Sequence, residues 1–308
     1  MNNSTSGFHA GEQSLQRSVG VQARLQMLAP QILREHMPDQ HREFFGKLPT
    51  LLLAALDAQG QPWATMLAGP PGFVSTPDAR QMRIEPFNAG EDPVLALLED
   101  EAPVGVLGLE PHTRRRNRMN GTVAGWDGAA LTIAVRQSFG NCPRYIVQRE
   151  PGLRRDADRA SAAQRLGSGL DSAAQALIAR SDTLFIASAS SRPRADDRSE
   201  GVDISHRGGS PGFVRQLVDD GGSLQLVLPD YAGNQFFMTL GNLSVNPAAG
   251  LLFADYDSGG LLHVSVEAEI VSDGAELAAW AGAQRLVRMR VREGLWRPGA
   301  LPWRWRPV

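Results

Sequence analysis

Short apolar segments with β-branched residues and leucines recur along the second half of the chain and predict strands. Val202 to Ser205 and Leu224 to Leu228 have this composition, so we predict two consecutive strands joined by a Gly/Pro-rich turn. From Gln235 to Val245 the apolar residues recur at nearly helical spacing. We therefore predict a helix that begins near Asn234 and ends before Pro247, because proline disfavours a helical residue before it.

A strand from Gly250 to Asp255 and a strand from Leu261 to Val271, joined by a Gly-Gly turn, complete this unit. The same order of short motifs occurs earlier in the chain and predicts an internal repeat. The matching segments are Thr50 to Ala55 with Thr183 to Ser188, Gly69 to Val74 with Gly209 to Val214, and Gly105 to Glu110 with Gly250 to Asp255.

Helical periodicity is confined to the start of the chain and to its middle. Residues 14–37 predict a helical arm interrupted at Pro30, and residues 1–12 are expected to be loosely attached. Residues 154–180 predict a helical connector. Residues 286–308 predict a closing strand and a Trp/Pro-rich tail that packs on the domain or on a partner.

The composition excludes several classes of chemistry. The formal net charge of -2 gives no reason to expect nucleic-acid binding, and no apolar run reaches membrane-spanning length, so we expect a cytoplasmic protein. Lys47 is the only lysine among 31 Lys and Arg residues, and its context fits neither a Schiff base nor a Walker loop. Cys142 is the only cysteine, which excludes an intrachain disulfide; we expect a small buried residue.

The turn after Ser205 can hold an anion. Gly208, Gly209 and Gly212 allow close approach of backbone N–H groups, while His206 and Arg207 supply further donors. A helix that begins near Asn234 would direct its positive end to the same place. These residues suit a phosphate group.

A second cluster of donors lies at Thr113 to Gly121, where four arginines occupy positions 114, 115, 116 and 118. A run of arginines is commonly a solvated surface. We favour ligand or interface binding, because the run ends in Met119 and Gly121 on a loop that enters a predicted strand at Thr122.

A hydrolase triad is disfavoured. Asp203, Ser205 and His206 lie on one strand, where alternate side chains face opposite sides, and no GxSxG motif accompanies them. Asp196, Asp197 and Glu200 lie in a polar loop and are expected to be solvated. His206 is thus interpreted as a ligand-binding or structural donor.

Several motifs together resemble the pyridoxamine 5'-phosphate oxidase-like proteins, which are FMN-binding split β-barrels. They are SHRGGSPGFV, PDYAGNQFF, TLGNL, NPAAGLLFAD, RRRNRMNG and SFGNCPRYI. The resemblance implies a mainly β (α+β) chain with two tandem split-barrel halves. It divides the chain into an N-terminal arm (1–42), a first half (43–152), a helical connector (153–181) and a second half (182–308).

The resemblance also implies an FMN site, or an FAD site. The phosphate would be held by Arg207 with Ser205, Ser210 and Asn234. The family's basic phosphate-binding pair is replaced by Asn234 and Gln235, so Arg207 or an arginine of the other half must compensate. The remaining candidates for cofactor binding are His206, Gly212, Phe213, Pro229, Asp230, Arg115, Arg118 and Asn120.

The resemblance further implies a flavin-dependent oxidoreductase with a small-molecule substrate and an electron donor or acceptor, active as a homodimer. Because the cofactor performs the difficult step, this function agrees with the lack of an acid–base triad. The alternatives are a non-catalytic module that binds an anionic small molecule, and a haem protein with His206 or His263 as axial ligand. No metal site is expected from the scattered His9, His36 and His41.

Overall fold

The computed structural model describes residues 7–89, 92–153, 162–194 and 196–308. The chain is mainly β, which confirms the predicted class, and most strands belong to a seven-stranded or an eight-stranded sheet. Within the described residues, no helix is long and apolar enough to cross a membrane.

The first sheet is antiparallel, with the strand order β2-β1-β5-β6-β7-β4-β3. A short 3₁₀ turn, Leu95–Leu97, precedes the interior strand β5 (Pro103–Glu110). In chain order the strands are β1 (Thr50–Leu56), β2 (Pro62–Ala68), β3 (Val74–Ser75), β4 (Gln81–Ile84), β5 (Pro103–Glu110), β6 (Arg115–Trp126) and β7 (Leu131–Gly140).

Two short strands follow, β8 (Arg149–Leu153) and β9 (Gln164–Leu166). Strand β9 pairs with the last part of the strand Arg285–Arg297, which belongs to the second sheet. The second sheet has the strand order β11-β10-β14-β15-β16-β13-β12. Its strands are β10 (Thr183–Ala189), β11 (Val202–Gly208), β12 (Arg215–Val218), β13 (Leu224–Asp230), β14 (Ala248–Ala254), β15 (Leu261–Val271) and β16 (Arg285–Arg297).

The two sheets therefore share one strand order, in which each strand from β1 to β7 has a counterpart from β10 to β16. The residue registers agree as well. Ala54 pairs with Gly105 in the first sheet, and Ala187 pairs with Gly250 in the second. Both glycines belong to the repeated segments that the sequence predicted.

Strands β1 and β10 are apolar at almost every position because both of their faces are buried. In β1, Leu51 and Leu53 pack into the core of the first sheet, whereas Leu52 and Ala54 face the second sheet. In β10, Ile186 packs into the core of the second sheet, whereas Phe185 packs into the core between the two sheets. Alternation along a strand sends successive side chains to opposite faces, so one strand serves two cores.

The sheets approach so closely that a side chain is excluded at two glycines. A Cβ added to Gly105 would lie 2.7 Å from the Val202 carbonyl oxygen, and one added to Gly250 would overlap the Pro62 carbonyl oxygen. Glycine allows this close passage of backbone against backbone.

Two local predictions for the second half are corrected. The predicted strand at Val202 to Ser205 extends as β11 to Gly208, so His206 and Arg207 lie in the strand and not in a turn. Along the chain, the short strand β12 lies between β11 and β13, so these two are not consecutive strands. In the sheet, β11 and β12 lie at opposite edges. By contrast, the hairpin of β14 and β15 is confirmed.

The N-terminal arm forms α1 (Ala10–Ser18), α2 (Gln22–Ile32) and α3 (Asp39–Gly46). The arm is interrupted at Gly20, which has a φ of 74°, and not at Pro30, which lies in the last turn of α2. Proline has no backbone N–H, so this turn lacks one helical hydrogen bond, and the helix ends two residues later. The prediction that residues 1–12 are loosely attached is wrong for residues 7–12, since Phe8, His9 and Glu12 are buried. Residues 1–6 lie outside the described residues.

The predicted connector helix is shorter than its pattern indicated. Helix α4 (Ser172–Arg180) is capped by the Asp171 side chain, and residues 154–161 of the prediction lie outside the described residues. Two further helices, α5 (Met238–Val245) and α6 (Ala275–Ala278), follow β13 and β15. The C-terminal tail forms β17 (Trp303–Pro307), which pairs with β8, so it packs on the same chain.

Candidate functional site

A cleft opens between the two sheets, where β6 of the first faces β11 of the second. The segment after β7 and the segment between β13 and α5 form its other walls. Four arginines line it, and among the described residues Asp230 is the one acidic side chain in the lining. The arginines are Arg116, Arg118, Arg144 and Arg207.

The first-half arginines reach this cleft because they lie on a strand and not on the predicted loop. Strand β6 begins at Arg115, so alternate residues share a face. Arg116 and Arg118 point to the second sheet, whereas Arg115 turns to the other side and stacks 4.7 Å from the Phe44 ring centroid.

Arg118 is buried and is held mainly by residues of β11. One guanidinium nitrogen donates to the Ser205 hydroxyl, the other donates to the Met238 sulfur, and the Asp203 carboxylate lies 3.9 Å away. Its Nε has no hydrogen-bond partner among the described residues. Burial lowers the pKa of Arg118 to about 10, and Asp203 opposes this shift.

Arg116 is less well compensated. Its Nη1 lies 3.0 Å from His206 Nδ1, and its Nε is buried with no hydrogen-bond partner in the part of the chain that the structure describes. It forms no ion pair within the described parts of the chain. Burial, together with the positive charges of Arg118 and Arg207, lowers the pKa of Arg116 to about 9.

His206 is a neutral donor in this cluster. Burial is the main cause that lowers its pKa well below 6.5, and the nearby arginines, Arg116 first among them, lower it further. Because a guanidinium can only donate, Nδ1 accepts from Arg116 and the ring proton must lie on Nε2. Nε2 is buried and has no partner in the described chain. It is thus a free donor beside the cleft.

Arg207 is half-buried on the second-sheet side of the cleft. Its Nη1 donates to the His206 carbonyl oxygen, and burial lowers its pKa. Burial raises the pKa of Asp230, which Arg207 and Arg285 counteract. Arg285 lies 3.7 Å from the Asp230 carboxylate, so this acid is already matched by a cation from β16.

The segment after β7 covers the cleft from the first half. Tyr145 stacks on Tyr231 with ring centroids 6.0 Å apart, and Arg144 donates to the Ala232 carbonyl oxygen. A Cβ at Gly208 would overlap the Tyr145 carbonyl oxygen, so glycine is required there. Cys142 lies in this segment and is half-buried in the cleft wall, which corrects the expectation of a buried residue.

The wall before α5 differs from the predicted helix. The helix begins at Met238, and Gln235 and Phe237 have left-handed backbones with φ of 63° and 60°. Its N-terminus is therefore displaced from Asn234. Such backbone conformations in residues other than glycine are costly and are maintained by their surroundings. Here Gln16 of α1 donates to the Phe236 carbonyl oxygen, at 3.1 Å.

Seven of the predicted cofactor-binding residues line the cleft: Arg118, His206, Arg207, Phe213, Pro229, Asp230 and Asn234. The other five lie elsewhere. Ser205 is buried behind the cleft against Arg118 and Thr239, and Asn120 donates to Asp203. Ser210 lines a neighbouring groove with Arg114 and Tyr145, Gly212 occupies the turn after β11, and Arg115 packs on Phe44.

The sequence indicated Arg116 only as one member of the arginine run, and it gave no sign of Arg144 or of the aromatic pair Tyr145 and Tyr231. The period of two along β6 could have grouped Arg116 with Arg118, had the segment been taken as a strand. Nothing local indicates that the segment after β7 meets the loop after β13.

The acidic loop before β11 is less solvated than expected. Glu200 is buried and accepts from the Arg192 backbone and guanidinium, which corrects the expectation that it is solvated. Asp197 accepts from the Ser199 backbone and hydroxyl. Within the described residues, no group of three or more His, Cys, Asp or Glu side chains could hold a metal ion.

No family model matches the chain, and no curated protein matches its sequence. Solved structures similar to parts of it include a putative pyridoxamine 5'-phosphate oxidase from Lactobacillus delbrueckii, with 12% identity over 35% of this chain and 98% of that one, at a TM-score of 0.27. An FMN-binding protein from Syntrophomonas wolfei shows 14% identity over 39% and 80%, also at 0.27. HutZ, the heme storage protein of Vibrio cholerae, shows 13% identity over 41% and 92%, at 0.27. These TM-scores are too low to carry an argument about this chain.

Proposed function

We propose that the chain binds FMN in the cleft between its sheets and acts as a flavin-dependent oxidoreductase built from two tandem split-barrel halves. The observation that carries the proposal is the convergence of Arg116, Arg118 and Arg207 on one cleft, with the Nε atoms of Arg116 and Arg118 and the His206 Nε2 buried without partners.

A buried cation without a counterion is costly, and Arg116 forms no ion pair within the described residues, so this cluster calls for an anion. Four arginines against the single lining carboxylate of Asp230 leave an excess of positive charge, and Asp230 is already matched by Arg285. A phosphate monoester supplies up to two negative charges and several acceptor oxygens, which guanidinium groups bind through paired hydrogen bonds. Arginines of the first half would thus bind the phosphate in place of the basic pair that Asn234 and Gln235 replace.

The cleft also offers flat apolar surface for a ring. Phe213, Phe237, Tyr145 and Tyr231 line it together with the rigid Pro229. Aromatic lining with a few fixed polar groups is typical of sites for small ligands and cofactors. A flavin has both a phosphate and a large planar ring, which matches this combination of charge and aromatic surface.

When bound, FMN supplies hydride and electron transfer at its ring. The chain would bind the phosphate through Arg116, Arg118 and Arg207, and would hold a donor at His206 Nε2. Because the His206 pKa is lowered, this donor is neutral at physiological pH and stays on Nε2. The substrate, an electron donor or acceptor, and association into a homodimer belong to the same proposal.

Titration of the purified protein with FMN and with riboflavin tests the proposal, read out by flavin absorbance and fluorescence quenching. We expect FMN to bind at least tenfold more tightly than riboflavin, because only FMN has the phosphate that the arginines bind. Arg116→Ala should weaken FMN binding about 10- to 100-fold and leave riboflavin binding unchanged.

Arg83→Ala is the matched control, since Arg83 is a partly exposed arginine of β4 that pairs with Glu85. It should bind FMN as the wild type does. Equal affinities for FMN and riboflavin, or failure of FMN to bind at all, would contradict the proposal.

Haem is a second candidate, favoured by one observation. His206 is neutral and has a ring nitrogen without a partner beside the cleft. Iron would need an Nε2 without a proton, so the ring proton would have to move to Nδ1 and Arg116 would have to release that nitrogen; arginines can bind propionates. Titration with haemin distinguishes the two, since a Soret shift that His206→Ala abolishes would support haem, and retention of the shift would exclude His206 as the ligand.

A further inference from the structure

We propose that only one of the two equivalent positions in this chain binds a ligand, and that the chain's own side chains close the other. One chain would therefore bind one ligand. This inference rests on the proposed function for the identity of the ligand, but its structural part does not depend on it.

The strand registers define the equivalent position. Phe185 pairs with His206 and Leu252 in the second sheet, as Leu52 pairs with Met66 and Leu107 in the first. His206 therefore corresponds to Met66. By the same registers, Arg207 corresponds to Leu67, Arg118 to His263 and Arg116 to Leu261.

The residues at the second position lack the charges of the cleft. Met66, Leu67 and Leu261 are apolar and buried, and His263 is also buried. His263 donates from Nδ1 to the Ala64 carbonyl oxygen at 2.8 Å, and its Nε2 is an uncharged acceptor without a partner. An anionic ligand would find no cation among the four.

The cation that does lie near this position is already neutralised within the chain. Arg297 donates to the Asp92 carboxylate at 2.6 Å, and both side chains are buried. Asp92 also accepts from the Thr65 hydroxyl at 2.6 Å and from the Val94 backbone at 2.9 Å. Thr65 corresponds to Ser205. The Asp92 carboxylate therefore contacts Thr65 as the Arg118 guanidinium contacts Ser205 in the cleft.

The C-terminal tail covers the same region. Leu301 and Ala300 belong to the apolar cluster that contains Met66 and Leu261. Leu301 donates its N–H to the Gly259 carbonyl oxygen, and the Trp303 ring nitrogen donates to the Pro49 carbonyl oxygen. These contacts come from one chain, so no partner is needed to seal the second position.

Ligand stoichiometry is the first test. Titration of a known concentration of chain with FMN should saturate at one equivalent, and Arg116→Ala should weaken that binding about 10- to 100-fold. Asp92→Asn should leave the stoichiometry at one and the affinity within twofold of the wild type. Saturation at two equivalents would overturn the inference and leave the proposed function standing.

A second test needs no ligand, so it decides the structural part even if FMN does not bind. Asp92→Asn keeps the shape of the side chain but leaves Arg297 without its counterion, so Tm should fall by at least 5 °C. In the cleft, Arg116→Ala removes a cation that lacks a counterion, so Tm should stay the same or rise. An equal change in Tm for the two variants would overturn the inference.

Discussion

Two buried histidines show how strongly the pKa of a side chain depends on its surroundings in this chain. His206 and His263 are almost fully buried, and desolvation is the first cause that lowers the pKa of each. For His263 the pKa falls to about 4, with Asp92 and the Ala64 carbonyl opposing the shift and Arg297 supporting it. Both rings are therefore neutral when the folded chain is near neutral pH.

This burial predicts a dependence of stability on pH. An unfolded histidine takes up a proton below pH 6.5, whereas folded His263 does so near pH 4, so the free energy of unfolding should fall as the pH falls between these values. His263 alone would contribute about 3 kcal/mol over that window. His263→Gln should lose less stability than the wild type between pH 7 and pH 4.5, as measured by urea denaturation. Parallel losses in the two proteins would refute the assignment.

Among the strands, β5 and β14 determine how closely the two sheets approach. Gly105 and Gly250 hold equivalent places in them, and each faces backbone of the opposite sheet. Apolar packing alone would not require glycine at either place. The close approach of backbone does, since every other residue carries a Cβ there.

Gly250→Ala should therefore destabilise the chain by about 1–3 kcal/mol, because the new methyl group forces the sheets apart. Gly125→Ala is the control, since Gly125 is also in a strand but has no atom within 4 Å of an added Cβ. Chemical denaturation measures both. Similar midpoints for the two variants would show that the sheets move apart at little cost.

Across the whole molecule, the two sheets share a third core that neither could bury alone. Leu52, Leu107, Phe185 and Ile204 meet there, drawn from both sheets. Residues of both halves also build the cleft, with Arg116 on one side and the loop after β13 on the other. Separation of the halves would thus expose apolar surface and dismantle the site together.

We expect one cooperative unfolding transition, with a ratio of calorimetric to van't Hoff enthalpy near one. Phe185→Ala should lower the free energy of unfolding by about 3–5 kcal/mol and keep the transition single, because Phe185 is fully buried in the shared core. Leu217→Ala, at an exposed position of β12, should change it little. Two separate transitions in the wild type would contradict the shared core.

Local patterns were enough to predict much of the second half. The hairpin of β14 and β15 follows from apolar runs and turn residues, and the repeated segments around Gly105 and Gly250 follow from short matching motifs; both signals act over a few positions. The mainly β class came from the family resemblance. The predicted interruption at Pro30 was wrong, and so was the predicted helix start near Asn234. Before Met238 a tertiary contact outweighs local propensity, since Gln16 of the arm donates to the Phe236 carbonyl oxygen.

The cleft depended on pairing between distant segments. The arginine-rich segment was evident in the sequence, but its partners lie about ninety residues away, with Arg116 on His206 and Arg118 on Ser205. Which face of β6 meets the second sheet depends on its register with β5, and a shift of one residue would exchange Arg116 for Arg115. The amino-acid sequence thus specified the strands and their charges, whereas the packing of one sheet on the other decided which charges meet.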